Sequence, residues 1–287
     1  MTTNLDRAGL LALGESYLAA LTARKPARLT LAHRFRYTEN GQDLALGDGL
    51  WASCDSEDAT GLIAVCDLAR QEMIQIARIR EAGDRSLVGT RLRFDGTAIC
   101  EMETIVARQQ GGFLSPPEDW PHRPIFGEAI PDEARADRAT MLEAADSYFV
   151  GLEQNTDALT NFHPDAHRIE NGNIMTSNPD HENPIMRMGP KAQFATGFSA
   201  IVTGLRERRF LVDEETGVVC AMLFFDHLLG HREIRRRDGE LMKPRAPFNR
   251  PFSFQTFECF KVWGGALREI EAVIAACPYG MKSGWAN

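Results

Sequence analysis

An α+β fold in two tandem cone-shaped units, each a curved antiparallel sheet wrapped around N-terminal helices, is predicted by three features of the sequence. A helical stripe of apolar residues recurs 131 residues later, a Glu-Asn-Gly tripeptide recurs at the same offset, and each half ends in three long strand-like segments. At 287 residues and 44% hydrophobic content, the chain can fill two cores.

Leu10, Leu11, Gly14, Tyr17, Leu18 and Leu21 fall at helical spacing and predict a first amphipathic helix. The offset of 131 converts them into Met141, Leu142, Ala145, Tyr148, Phe149 and Leu152, which is the same stripe. Seven positions between Glu15 and Gly41 are identical at this offset, among them Ser16-Tyr17 and Glu39-Asn40-Gly41. Average composition would give about one or two, so the halves read as a duplication. A short strand carrying Glu-Asn-Gly follows, then a helix. Strands come next over 73–80, 87–94 and 98–107 in the first half, and over 218–228, 252–262 and 267–275 in the second.

The segment from Glu101 to Ala107 is similar to that from Glu269 to Ala275 at an offset of 168, so the second half carries about 37 extra residues. Segments 173–191 and 232–251 have room for them, and long loops inside compact domains often close over a site. The first unit is assigned to residues 1–110 and the second to 132–287. A proline-rich join over 111–131 links them, and segment 173–191 is the expected lid.

The stretches Tyr37 to Gln42 and Gly47 to Trp51, the second Glu170-Asn171-Gly172, and the tail from Pro278 to Trp285 carry a resemblance. With the organisation just described, they resemble the nuclear transport factor 2-like superfamily, which includes SnoaL-like cyclases and ketosteroid isomerases, and within it a tandem branch found in bacteria and fungi. The resemblance implies a conical pocket between helices and sheet, working by acid–base chemistry with no organic cofactor. It also implies a relation to lyases that remove a side-chain carbon of lignin-derived diaryl compounds as formaldehyde. Their catalytic residues do not map onto this chain position by position.

A net charge of −8 disfavours nucleic acid and anionic membrane as main partners, since both reward clustered Lys and Arg. The one basic cluster, Arg232 with Arg235 to Arg237, reads as a solvated loop. Six cysteines fall singly, several within apolar runs, and no long apolar segment is present, which predicts a reduced, cytoplasmic setting. No Walker A, HExxH or GxSxG motif occurs. His163, Asp165 and His167 share a face if extended, but no second ligand cluster supports them and no metal is expected. The expected partner is a small hydrophobic aromatic substrate, with homo-oligomerisation left open.

Phenylalanine breaks the duplication, because 12 of the 16 follow residue 131; ordinary core packing gives such a bias, and so does an aromatic pocket in the second half. The alternation of strand faces puts Glu258 with Phe252, Phe254 and Phe260. A carboxyl among rings has a raised pKa, suited to an acid or base; the competing reading is a salt-bridged strand residue. Neighbours Asp226 and His227 must face opposite ways, so one of them looks into the cone. Asp226, His227 and Glu258 are the candidate catalytic residues. Phe194, Phe198, Phe224 and Phe254, with Tyr37 and Arg78 of the first half, are the candidate substrate-binding residues.

The repeated Glu-Asn-Gly reads mainly as a turn, with a pocket-edge role for Glu39 or Glu170 as the alternative. The duplicated Glu101, Glu103, Glu269 and Glu271 read as the wet face of a strand. The expected activity is that of a cofactor-independent lyase or isomerase acting on a hydrophobic aromatic molecule. The alternative is a non-catalytic binding protein.

Overall fold

The computed structural model describes residues 4–55, 59–109, 114–117, 123–228 and 232–285. The join expected over 111–131 lies partly outside them. Its described end places Phe126 and Ile130 in buried positions.

The first unit runs α1 (Arg7–Thr22), β1 (Leu31–Glu39), β2 (Gln42–Asp43), α2 (Leu50–Ser53), β3 (Thr60–Asp67), β4 (Glu72–Glu81), β5 (Asp84–Asp95) and β6 (Ala98–Arg108). The second runs α3 (Arg138–Glu153), β7 (Phe162–Glu170), β8 (Asn173–Ile174), α4 (Pro190–Thr196), β9 (Gly204–Asp213), β10 (Val218–His227), a hairpin of β11 (Ile234–Arg235) and β12 (Leu241–Met242), then β13 (Phe252–Trp263) and β14 (Ala266–Cys277). The strand orders are β2-β1-β6-β5-β4-β3 and β8-β7-β14-β13-β10-β9, so the two units share one topology. Bulges interrupt the ladders of both sheets, and each bulge bends and twists its strand, curving the sheet around its helix.

Two details differ from the sequence expectation. The pairs β1/β6 and β7/β14 are parallel, which the long crossover between the paired strands allows. Strands β3 and β9 were not expected. β9 carries Arg206, Arg208 and Arg209, and such a charged run does not read as a buried strand.

The duplicated signals act locally. Asp6 caps α1 by accepting from Gly9 N at 2.8 Å, and Asp137 caps α3 by accepting from Thr140 N at 2.8 Å. In each Glu-Asn-Gly the Asn and Gly take positive φ, 45° and 76° at Asn40-Gly41 and 47° and 80° at Asn171-Gly172. Each Asn side chain then bonds the last strand of its sheet: Asn40 accepts from Val106 N and Asn171 accepts from Ile274 N, both at 2.8 Å.

The sheets pack face to face through Ile74, Ile76 and Ile105 of one and Met222, Phe257 and Val273 of the other. The contact is nearly two-fold. Arg7 at the start of α1 pairs with Asp213 at the end of β9, and Arg138 at the start of α3 pairs with Asp67 at the end of β3. Asp213 also accepts from Cys66 N and Asp67 from Val212 N. At the axis the repeat is unequal: a Cβ on Gly89 would sit 2.8 Å from the Phe257 ring, so a glycine is needed where that ring lies. The tail crosses back onto the first unit, where Trp285 donates to Thr38 Oγ1 at 2.9 Å and Arg36 donates to Gly284 O at 2.6 Å.

This packing corrects the wet-face reading of the duplicated glutamates. Glu103, Glu269 and Glu271 are 1%, 4% and 2% exposed. Alternation identifies their shared face correctly, but the other unit covers it. Glu103 is held by Arg91 and Arg209, at 3.0 and 2.8 Å, and Glu269 by Arg123 at 2.7 Å. Glu271 has no ion pair among the described residues. Burial pushes the Glu269 carboxyl up to about 7, and burial together with the Glu269 charge pushes Glu271 up to about 8.

A carboxyl whose folded pKa lies above its unfolded value contributes stability fully below the unfolded pKa and loses it as pH rises through the folded one. Glu271→Gln should therefore raise Tm by roughly 2–6 °C at pH 9 and leave it nearly unchanged below pH 4.5. Thermal unfolding followed at both pH values checks this; an equal rise at both would mean that the charge is irrelevant.

Among the described residues no helix is long and apolar enough to cross a membrane.

Candidate functional site

The second unit encloses a cavity of about 280 Å³ between α3, the concave face of its sheet and the two segments that the first unit lacks. Met175, Asn183, Ile185 and Met186 of the expected lid line it, as do Met242 to Arg245 and Phe248 of segment 232–251. Gln193 of α4 fixes the lid, since its Nε2 donates to Met175 O at 2.6 Å and Ile185 O at 2.8 Å.

Four polar side chains form the floor. Arg168 on β7 donates to Tyr148 Oη at 3.3 Å and Gln193 Oε1 at 2.9 Å, and its Nε lies 3.2 Å from Glu170 Oε1. Glu258 on β13 sits beside the Tyr148 hydroxyl. It is 2% exposed, and its Oε2 has no hydrogen-bond partner among the described residues. Burial, reinforced by the Glu170 charge, pushes the Glu258 carboxyl up to about 8 against the opposing pull of Arg168 and Tyr148. Burial also raises Glu170, although Arg168 pulls it back, and burial raises the Tyr148 hydroxyl well above its ordinary value.

His227 lines the same cavity within a box of rings. It stacks on Phe252 at 4.7 Å and meets Phe248 and Phe254 edge-on at 5.0 and 5.2 Å. Burial there depresses the imidazole to about 4, so it is neutral at pH 7. It pairs across the sheet with Phe252, six residues before Glu258, which is about 20 Å of strand. His227 and Glu258 therefore do not meet at one bond.

The other sequence candidates lie in different places. Phe198 and Phe254 line the cavity, whereas Phe194 lies behind them, against Phe162 at 5.0 Å and Tyr148 at 5.2 Å. Asp226 faces away from the cavity, where Arg206 Nε and Ser253 Oγ donate to it at 2.6 and 2.5 Å. Burial raises its pKa, but these bonds more than offset that and hold the carboxyl below its ordinary range. Phe224 shares this outer face, with Arg206 Cζ 5.0 Å from its ring centre. Tyr37 and Arg78 belong to the first unit and line no part of the cavity. His163, Asp165 and His167 fall on β7, where His163 Nδ1 accepts from Asp165 N at 3.1 Å.

The repeat shows what sets the second floor apart. At its two offsets Tyr148, Arg168, Glu170 and Glu258 correspond to Tyr17, Tyr37, Glu39 and Thr90. Thr90 pairs with Thr104 as Glu258 pairs with Ala272. In the first unit Tyr17 bonds Thr90 at 2.9 Å and Tyr37 donates to Glu39 at 2.9 Å. Glu39 also accepts from Leu50 N at 2.7 Å and pairs with Arg108 at 2.8 Å. Trp51 of α2 packs edge-on to Tyr17 at 5.9 Å. That floor is satisfied and covered, with its carboxylate held by Arg108.

Arg168 and Tyr148 are not among the sequence candidates, and Glu170 enters there only through the lesser, pocket-edge reading of its turn. The signal that identifies them is the pair of substitutions Tyr37/Arg168 and Thr90/Glu258, where the repeat exchanges a neutral inward residue for an ionisable one.

A family model described as Domain of unknown function (DUF8021) matches residues 134–274, most of the second unit. No curated protein matches the chain. Solved structures give distant likenesses. AclR from Streptomyces galilaeus, provisionally described as a hydroxylase, is 10% identical over 35% of this chain and 80% of its own, with a TM-score of 0.30. A provisional ketosteroid isomerase from Kribbella flavida DSM 17836 is 16% identical over 44% of this chain and 93% of its own, with a TM-score of 0.30. An NTF-2 like protein of unknown function from Silicibacter pomeroyi DSS-3 is 18% identical over 34% and 93%, with a TM-score of 0.26.

Proposed function

We propose that the second unit is a cofactor-independent acid–base catalyst, an isomerase or lyase, acting on a compact aromatic molecule, and that the first unit is its scaffold. The observation that carries this reading is the pair of carboxyls on the cavity floor with unlike surroundings. Glu170 has an arginine partner and Glu258 has none. Environments that differ in this way divide the roles, as in the carboxyl pairs of known acid–base enzymes.

Glu258, protonated at neutral pH, is the acid, and Glu170 is the base. Arg168 orients Glu170 and, with the Tyr148 hydroxyl, stabilises an oxyanion developing at the floor. In an isomerisation, Glu170 takes a proton from a carbon next to a carbonyl while Glu258 donates to the carbonyl oxygen. Return of the proton at a different carbon completes the shift.

The lyase form uses the same groups. For a phenolic diaryl diol, Glu258 protonates the benzylic hydroxyl, which leaves as water. Glu170 takes the proton of the primary hydroxyl as the carbon–carbon bond breaks, giving formaldehyde and the diaryl alkene. The resemblance to lignin-dimer lyases suggests this substrate. Asp226, fixed in its own ion pair, has no part in this scheme, and His227 contributes an aromatic wall and a neutral hydrogen-bonding edge.

The test is incubation in deuterated water with a panel of aromatic ketones and phenolic diaryl diols, reading ligand mass and formaldehyde. Deuterium gain or formaldehyde release that disappears in Glu170→Gln is the expected result. Ligand binding with neither exchange nor product across the panel would make this unit a binding protein.

A further inference from the structure

We infer that the ligand of this cavity is an anion: an aromatic body carrying a carboxylate or similar group, which Lys243 and Arg245 hold at the mouth. This rests on the cavity being the substrate site and adds the substrate's charge class to that reading.

Lys243 and Arg245 flank the buried Pro244 in the segment after β12, and both line the cavity while remaining exposed. Two residues apart in the chain, they line the same cavity, so the two cations act at one place. Among the described residues neither has a salt-bridge partner, although the chain carries more acids than bases. Arg91, Arg108, Arg206 and Arg209, by contrast, sit in ion pairs.

The charge of the lining points the same way. Arg168 is balanced by Glu170. Glu258 carries a proton at neutral pH, since burial pushes it up to about 8, and His227 is neutral. What remains uncompensated is the positive charge of Lys243 and Arg245.

The rim is also the cheap place for an anion. A carboxylate there stays partly hydrated, while Arg245 can meet both oxygens and Lys243 adds a compact charge. The ring then lies against Phe248 and Phe254, which line the wall between rim and floor, and the reacting carbon points toward Glu258. Both cations belong to a segment with no counterpart in the first unit, so this recognition comes with the cavity and not with the shared fold.

The experiment compares 2-naphthoate with its neutral isostere 2-naphthamide by calorimetric titration of the full-length protein at low and high salt. The same titrations are run on Lys243→Ala, Arg245→Ala, the double variant, and Glu258→Gln. The expected result is that naphthoate binds at least about tenfold more tightly than the amide, with a preference that shrinks in high salt. Each single variant should lose part of the preference and the double variant nearly all of it, while amide binding and the circular dichroism spectrum stay unchanged. Glu258→Gln should keep the preference. Equal affinity for acid and amide in the unaltered protein overturns the anion inference and leaves the cavity as an aromatic site. A preference that survives the double substitution overturns the assignment to Lys243 and Arg245. Binding of neither probe removes the cavity reading itself, and the inference with it.

Discussion

Glu258→Gln should lower turnover by about 10²–10⁴-fold while leaving ligand affinity within a few-fold of the original. The glutamine keeps the shape of a carboxyl that is already neutral at pH 7, so the fold and the ring contacts persist, and only the transferable proton is lost. The unaltered protein should show kcat falling as pH rises past about 8, because its acid form is consumed there. The variant should lack that alkaline limb. Asp226→Asn is the informative comparison. It weakens the ion pair with Arg206 on the far side of the sheet, so its effect should appear in Tm and not in the pH profile. Full activity in Glu258→Gln would place the chemistry elsewhere.

The second large effect is structural. Arg91 is 2% exposed and bonds Glu72, Glu101 and Glu103 at 3.0, 2.7 and 3.0 Å. Arg91→Met removes the cation that three carboxylates share, two of them buried, and should cost about 3–5 kcal/mol of stability. In a chain of this size that lowers Tm by roughly 6–20 °C. Exposed Arg80→Ala on the neighbouring strand should cost no more than about 0.5 kcal/mol. Thermal and urea unfolding of both variants checks the contrast. A loss under about 1 kcal/mol for Arg91→Met would show that this cluster is solvated in solution. The same cluster makes Glu103 unsuitable as an inert control for the chemistry, despite its duplicated position.

Much of this architecture can be read from the repeat. The 131-residue offset locates both helices and both Asn-Gly turns, and the growth of the offset to 168 locates the two segments that wall the cavity. Strand alternation sorts Phe254 and Glu258 from Phe257 and Cys259, and His227 from Asp226, onto the faces they occupy. What alternation does not supply is the nature of each face. Glu103, Glu269 and Glu271 look like a solvent row because a charged strand face normally meets water; here a second sheet covers it. β9 escapes for the related reason that Arg206, Arg208 and Arg209 reach their acidic partners across the fold. The floor residues are hidden differently. Arg168 and Glu170 flank an ordinary apolar Ile169 in a short strand, and nothing local says that Glu258 lies at their side. That closeness comes from the parallel pairing of β7 with β14 and the antiparallel pairing of β14 with β13.

The central claim is that the second unit's cavity is built over a neutral carboxylic acid able to give up its proton. Carbon-13 NMR of the protein labelled at glutamate side-chain carboxyls tests it without any substrate, with Glu258→Gln identifying the resonance. The expected result is a titration midpoint near 8, moving upward in Arg168→Met as the stabilising cation is lost. A Glu258 carboxyl that titrates between about 4 and 5 would contradict it, since the group would then be an ordinary ionised carboxylate at neutral pH.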